Sequence, residues 1–122
     1  MSFFAQRAGK EHMLKEYTIK GNYMEYVMPK EIDHHMAQQI YTRIDQLIDM
    51  YQIRTLCFDF SQTEFMDSSG IGILIGRSRK LHYYGGQVCA KGLKDRAEKI
   101  FRASGLYQII KIVGEENDGN KE

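Results

Sequence analysis

The chain has 122 residues, of which 43% are hydrophobic, and its 17 Lys and Arg and 16 Asp and Glu leave a formal net charge of +1. A chain of this length forms one domain that buries roughly two-thirds of its unfolded surface, enough for an ordinary hydrophobic core. The balanced charge argues against nucleic acid or an anionic membrane as partner, because proteins bind both through a concentrated basic surface.

The first half of the chain predicts a strand pair and a long helix. Residues 1–13 show no periodicity and are expected to be a lead-in to a domain over 14–113. Two strands are predicted at 14–20 and 23–28, joined by a turn at Gly21-Asn22. Asp33 is the predicted N-cap of a helix that ends near Tyr51. Its apolar stripe consists of Met36, Ile40, Ile44, Leu47, Ile48 and Tyr51.

The second half alternates strands and helices. Strands are predicted at 55–60, 87–91 and 109–113, and residues 61–67 form a loop. One helix opens near Ser68 and ends near Tyr84, with an inward face of Ile71, Leu74, Ile75, Ser78 and Leu81. Another contains Leu93, Ala97, Ile100 and Phe101 and ends at Gly105. Residues 114–122 are acidic and expected to be disordered. The order predicts an α/β fold with parallel crossovers.

The two cysteines, the N-terminus and the hydropathy indicate the compartment. Cys57 and Cys89 each lie in an apolar run typical of a strand, so we expect both to be reduced and buried, as in a cytosolic protein. No stretch approaches about 18 apolar residues, and residues 1–13 lack the features of a signal peptide. The cytoplasm is the expected location.

Residues 65–72 carry the most functional information, because they join a buried strand to a helix start, where α/β folds present functional groups. In the simplest interpretation Asp67, Ser68 or Ser69 caps the helix and contributes about 1 kcal/mol. A helix start can also accept a phosphate on Ser68, which adds about −1.5 to −2 charges. That charge would repel an acidic or apolar partner surface while the domain stays folded.

The outward flanks of the same helix suggest a docking surface. Gly72 and Gly76 fall on one flank, and each interior glycine costs about 0.8–1 kcal/mol relative to alanine. Either a partner approaches the helix backbone there, or a neighbouring element of the same domain packs against it. Ile73 falls on the other outward flank beside Arg77 and is expected to be partly exposed.

Several motifs together resemble the anti-sigma factor antagonists of the STAS domain family. They are FMDSSGIGILIGRSRKL at 65–81, Gly85-Gly86, and FRASGLYQII at 101–110. The segment EIDHH at 31–35 resembles the sporulation stage II AA type, and the resemblance covers about residues 16–113. It implies a single STAS-like domain, in which a mixed β-sheet carries helices mainly on one face.

The resemblance also implies a partner-switching function without catalysis or a cofactor. The unphosphorylated protein would bind an anti-sigma factor that is also a serine kinase, and so free the sigma factor. That kinase would phosphorylate the antagonist with ATP and release it, and a PP2C-type phosphatase would reset it. In this resemblance the hydroxyl that accepts the phosphate is that of Ser68. The recognised loop would be shaped by Asp67, Ser69 and Gly70. Asp33 would lie near the contact with the kinase.

Other functions fit the residues less well. Gly70, Gly72 and Gly76 are spaced one residue longer than the dinucleotide fingerprint, although weak nucleotide binding stays open. Ser68 lacks the G-x-S-x-G of a hydrolase nucleophile. No metal site is expected, because His34 and His35 are adjacent and the two cysteines lack paired-ligand spacing. A STAS module in a larger signalling or transport assembly is the remaining alternative.

Overall fold

Seven strands and three helices occur in residues 16–114, the part of the chain that the computed structural model describes. The strands are β1 Tyr17–Lys20, β2 Tyr23–Val27, β3 Glu31–Ile32, β4 Thr55–Asp59, β5 Phe65–Met66, β6 Gln87–Lys91 and β7 Lys111–Val113. The helices are α1 His34–Tyr51, α2 Ser68–Tyr83 and α3 Asp95–Ala103, and Leu106–Gln108 forms a 3-10 turn. The lead-in predicted for 1–13 and residues 115–122 of the predicted tail lie outside the described residues.

Five strands form the main sheet in the order β1-β2-β4-β6-β7. β1 runs antiparallel to β2, and the remaining neighbours are parallel. Because side chains alternate across a strand, one face carries the buried residues Met24, Tyr26, Leu56, Phe58, Val88 and Ala90. These pack with the buried residues of α1, α2 and α3 into one core. The predicted α/β fold, a mixed sheet with helices mainly on one face, is confirmed.

The sequence did not predict β3 and β5, whose residues were assigned to connecting segments. They pair with each other in parallel as a separate two-stranded sheet, with Glu31 opposite Phe65 and Ile32 opposite Met66. Two residues are too few to show the alternation by which a strand is recognised. Two predicted boundaries also shift: α3 begins at Asp95 rather than near Leu93, and β7 begins after the 3-10 turn.

The predicted cap and stripe of α1 agree well with the structure. The Asp33 carboxylate accepts a hydrogen bond from the backbone N–H of Met36 at 2.9 Å, which confirms Asp33 as N-cap. The helix ends at Gln52, which adopts a left-handed conformation and donates its N–H to the Ile48 carbonyl. The buried stripe is Ala37, Ile40, Ile44, Leu47 and Ile48. Of the other predicted stripe residues, Met36 is half-buried and Tyr51 is exposed.

A charged cluster joins α1 to α2. Arg77, whose side chain is 5% exposed, donates a hydrogen bond to Asp45. Its guanidinium lies 3.9 Å from the centroid of the Tyr41 ring. Lys80 Nζ lies 2.6 Å from the same Asp45 carboxylate and 2.9 Å from Asp49. The hydrogen bond from Lys80, aided by Arg77, holds the pKa of Asp45 below its usual range.

We expect Asp45→Asn to lower the free energy of unfolding by about 1–3 kcal/mol, because the buried Arg77 guanidinium loses its charged acceptor. The pKa of Asp45 is lower in the folded state than its unfolded value of 3.8. Its contribution to the free energy of unfolding is therefore complete above pH 3.8 and is lost as pH falls through the folded pKa. Urea unfolding of both proteins at several pH values should therefore show a difference that shrinks below that value. Asp49→Asn is the control, because Asp49 is more exposed and contacts Lys80 alone in this cluster. Equal losses in the two variants would contradict this account of Arg77.

Candidate functional site

Helices α1 and α2 begin side by side because the strands before them are paired in register. β3 and β5 run parallel, and the N–H of Asp67 continues the pairing by donating to the Ile32 carbonyl at 3.1 Å. Each short strand is followed directly by an aspartate that caps a helix, Asp33 for α1 and Asp67 for α2. Two helix N-termini, each with unpaired backbone N–H groups, therefore lie at one edge of the domain.

Asp67, and not either serine, caps α2. Its carboxylate accepts a hydrogen bond from the Ser69 N–H at 2.7 Å, and its carbonyl accepts one from the Gly70 N–H at 3.0 Å. Ser68 is consequently the first helical residue, and its side chain is exposed. Its hydroxyl makes no hydrogen bond to any residue in the range 16–114. The Ser68 hydroxyl is therefore accessible to solvent.

Ser69 occupies a different environment from its neighbour. It is half-buried, and its Oγ lies 3.2 Å from Nδ1 of His34, the first residue of α1. This hydrogen bond links the starts of the two helices. His34 was not among the predicted site residues, since a contact between residues 34 and 69 depends on the β3–β5 pairing and leaves no local pattern in the sequence.

The three glycines of α2 have distinct surroundings. A Cβ on Gly70 would lie 2.6 Å from Met66 Sδ, so the helix start packs tightly on β5. A Cβ on Gly76 would lie 3.1 Å from Cε2 of Tyr41, so α1 approaches this glycine closely. Gly72 has no atom within 4 Å of the same position. Intramolecular packing therefore explains Gly76, whereas Gly72 lies on an open flank.

The exposure predicted for Ile73 is wrong. Ile73 is 2% exposed and belongs to the core, and its neighbour on the helix surface, Arg77, is also buried. The sequence prediction gave this helix a single inward face, but α2 is covered both by the main sheet and by α1. The exposed flank of α2 instead contains Gly72, Arg79 and Tyr83.

An open groove of about 660 Å³ lies between α1 and α2, beside the two helix starts. Its lining combines polar and apolar side chains: His34, Ala37, Gln38 and Tyr41 from α1, and Ser69, Gly72 and Ile73 from α2. The exposed Ser68 is adjacent in sequence to this lining. The groove therefore lies next to the residue whose hydroxyl is exposed.

Neither a metal-binding cluster nor a membrane-spanning helix occurs in residues 16–114. No group of three or more His, Cys, Asp and Glu side chains is arranged there to hold a metal ion. No helix of that range has both the length and the apolarity needed to cross a bilayer.

Comparison with known proteins identifies the family. The sequence profile of the STAS domain matches residues 15–119. An anti-sigma F factor antagonist of Paenibacillus polymyxa is 28% identical over 86 residues, which cover 70% of this chain and 74% of that protein. An anti-sigma-B factor antagonist of Listeria monocytogenes is 26% identical over 102 residues, covering 81% and 86%.

Solved structures agree with this assignment. The anti-sigma factor antagonist SpoIIAA in its unphosphorylated form is 28% identical, with a TM-score of 0.72 over 85% of this chain and 90% of that one. SpoIIAA of Bacillus in the phosphorylated form is also 28% identical, with a TM-score of 0.65 over 85% and 94%. The profile match spans residues 15–119 and the fold matches these structures, so the chain belongs to the STAS domain family.

Proposed function

We propose that this chain is an anti-sigma factor antagonist that phosphorylation of Ser68 switches off. In this proposal the unphosphorylated form binds an anti-sigma factor that is also a serine kinase, and thereby frees a sigma factor in the cytoplasm. The kinase transfers phosphate from ATP to Ser68, the complex dissociates, and a PP2C-type phosphatase restores the first state. The role is regulatory and not catalytic. The exposed, unbonded hydroxyl of Ser68 beside the α1–α2 groove is the observation that carries the proposal.

The local geometry favours Ser68 over Ser69 as the acceptor. A kinase must bring a hydroxyl in line with the terminal phosphate of ATP, which requires an accessible oxygen. Ser68 is exposed, whereas Ser69 is half-buried and its hydroxyl is hydrogen-bonded to His34. Modification of Ser69 would break the contact between the starts of α1 and α2.

The position of Ser68 also explains how a phosphate can act on binding without unfolding the domain. At the start of α2 the added charge interacts favourably with the helix dipole, by about 0.3–1 kcal/mol. A partner surface pressed against the same oxygen would have to desolvate that charge, at a cost of several kcal/mol. Since about 1.4 kcal/mol changes an affinity tenfold, such a cost dissociates a complex of ordinary strength.

The proposed contact surface consists of the two helix starts and the open flank of α2. Asp33 and Asp67 lie at equivalent positions after the paired strands and present carboxyl groups at this edge. Gly72 offers exposed backbone to a partner. Ile73 forms part of the groove lining instead of an exposed patch, and Gly70 and Gly76 act indirectly by letting α2 pack closely on Met66 and Tyr41.

We expect Ser68→Ala to fold normally, to retain partner binding and to take up no phosphate. Ser68→Asp should weaken binding by at least about tenfold with little change in stability, because it adds a charge at the same oxygen position. The kinase is obtained by capture from cell extract on the immobilised chain and is identified by mass spectrometry. Phosphate is then located in the peptide containing residue 68, and affinity is measured by calorimetry.

Ser69→Ala is the matched control: it removes the hydroxyl that contacts His34 but keeps Ser68, so any phosphate should still be found at residue 68. If Ser68→Ala were phosphorylated as fast as the unaltered chain, Ser69 would be the phosphate acceptor instead. Capture of a transporter or another signalling assembly, with no kinase, would instead favour the alternative of a STAS module in a larger complex.

We expect Gly72→Ala to raise the free energy of unfolding by about 0.5–1 kcal/mol, because it removes a flexible helix-interior residue and meets no neighbouring atom. The same methyl group should weaken binding to the captured kinase, since it projects from the proposed contact flank. Gly76→Ala is the control: its methyl group faces Tyr41 of α1 and not the open flank, so affinity should fall less than in Gly72→Ala. Chemical unfolding and calorimetry measure the two effects, and unchanged affinity in Gly72→Ala would remove this flank from the contact surface.

A further inference from the structure

The sheet face opposite the helices carries a pair of cysteines that the function proposed above does not use. Cys57 of β4 and Cys89 of β6 are direct partners in the parallel register. Their sequence neighbours Leu56, Phe58, Val88 and Ala90 belong to the core, so the two thiols project from the other face. Both thiols are free in this structure.

The spacing of the two residues suits a disulfide. Neighbouring strands lie about 4.7–4.9 Å apart, within the range of about 4.4–6.8 Å between Cα atoms that disulfides span. The two thiols are also within hydrogen-bonding contact of each other. The register and the contact between the thiols are therefore compatible with a bond between the two sulfurs.

The two thiols differ in accessibility and in their ease of ionisation. Cys57 is 1% exposed, whereas Cys89 is half-buried and can be reached from solvent. The hydrogen bond from Cys57, aided by Lys111 and Lys91 and opposed by burial and Glu25, lowers the pKa of Cys89 to about 7. The same hydrogen bond, together with burial, raises the pKa of Cys57. The titratable groups facing the pair are Tyr23, Glu25, Asp59, Lys91 and Lys111.

We propose that Cys57 and Cys89 form a redox site at which a hydroperoxide, such as hydrogen peroxide, oxidises the pair to an intrachain disulfide joining β4 to β6. Cys89 is the residue that reacts with the peroxide first, because it combines exposure with thiolate character. Cys57 is the resolving residue, because it lies beside Cys89 and is shielded from the oxidant. The redox site shares no residue with the site around Ser68, so this inference does not depend on the proposed function.

The reaction proceeds in two steps that balance. The Cys89 thiolate attacks one peroxide oxygen, the O–O bond breaks, and the departing hydroxide takes up the proton that Cys89 had lost, giving water and a sulfenic acid. The Cys57 sulfur then attacks the Cys89 sulfur, the S–O bond breaks, and the hydroxide leaves with the Cys57 proton as a second water. The two thiols lose two electrons and two protons in total, and the peroxide is reduced to two waters.

The first test treats the full chain with a small excess of hydrogen peroxide and follows free thiols and intact mass without reductant. We expect both thiols to disappear together, the mass to fall by two hydrogen atoms, and dithiothreitol to reverse the change. Peptide mapping should recover one linked pair containing Cys57 and Cys89. The rate should rise with pH through about 7, as the Cys89 thiolate forms. Persistence of both free thiols, or a disulfide found only between two chains, would overturn the proposal.

The matched variants assign the roles of the two cysteines. Cys57→Ser should stop at the sulfenic acid, which dimedone traps on Cys89. Cys89→Ser should leave Cys57 unreacted, because Cys57 is buried and protonated. Circular dichroism checks that each variant is folded. Oxidation of Cys89→Ser as fast as the unaltered chain would overturn the assigned order of attack, and where a variant does not fold, the linked peptide from the unaltered chain decides.

Discussion

The pairing of β3 with β5 is the constraint on which the rest of the site depends. Each strand contributes two residues and leads directly into a capping aspartate, so the register of this small sheet sets where α1 and α2 begin. A slip of one residue in either strand would turn its own buried residue, Ile32 or Met66, outward and misalign the caps. The exposed hydroxyl of Ser68, the His34–Ser69 contact and the groove all follow from this alignment.

Contacts further along the helices fix the width of the groove. Gly76 lets the Tyr41 ring approach the backbone of α2, and the Arg77 guanidinium lies over the same ring. Asp45 and Lys80 complete the contact with ion pairs. The helix pair is therefore held at two places, by strand pairing at the start and by a charged, aromatic contact in the middle. A helix pair held at two places suits the proposed switch, because the helices could not move aside to accommodate an added phosphate.

The two faces of the main sheet have separate chemistry. The helix-bearing face forms the core and, through the loops at its edge, the candidate site. The opposite face carries the thiol pair together with the ion pair of Lys91 and Glu25 across neighbouring strands. Because the sheet itself lies between these faces, a change at one can occur without direct contact with the other. Such separation would let the proposed phosphorylation site and the proposed redox pair act independently.

The amino-acid sequence alone determined the order of the main elements, the cap at Asp33, the stripe of α1 and the placement of Ser68 at a helix start, because these depend on residues a few positions apart. Only the tertiary structure decided which serine is free, since the Ser69 hydroxyl is engaged by a residue 35 positions away. Ile73 is buried because α2 packs against α1 as well as against the sheet. Cys57 lies beside Cys89 because of the register between β4 and β6. The spacing of apolar residues in the sequence predicts one buried face of a helix or strand. Contacts between elements that are distant in sequence depend on how whole elements pack.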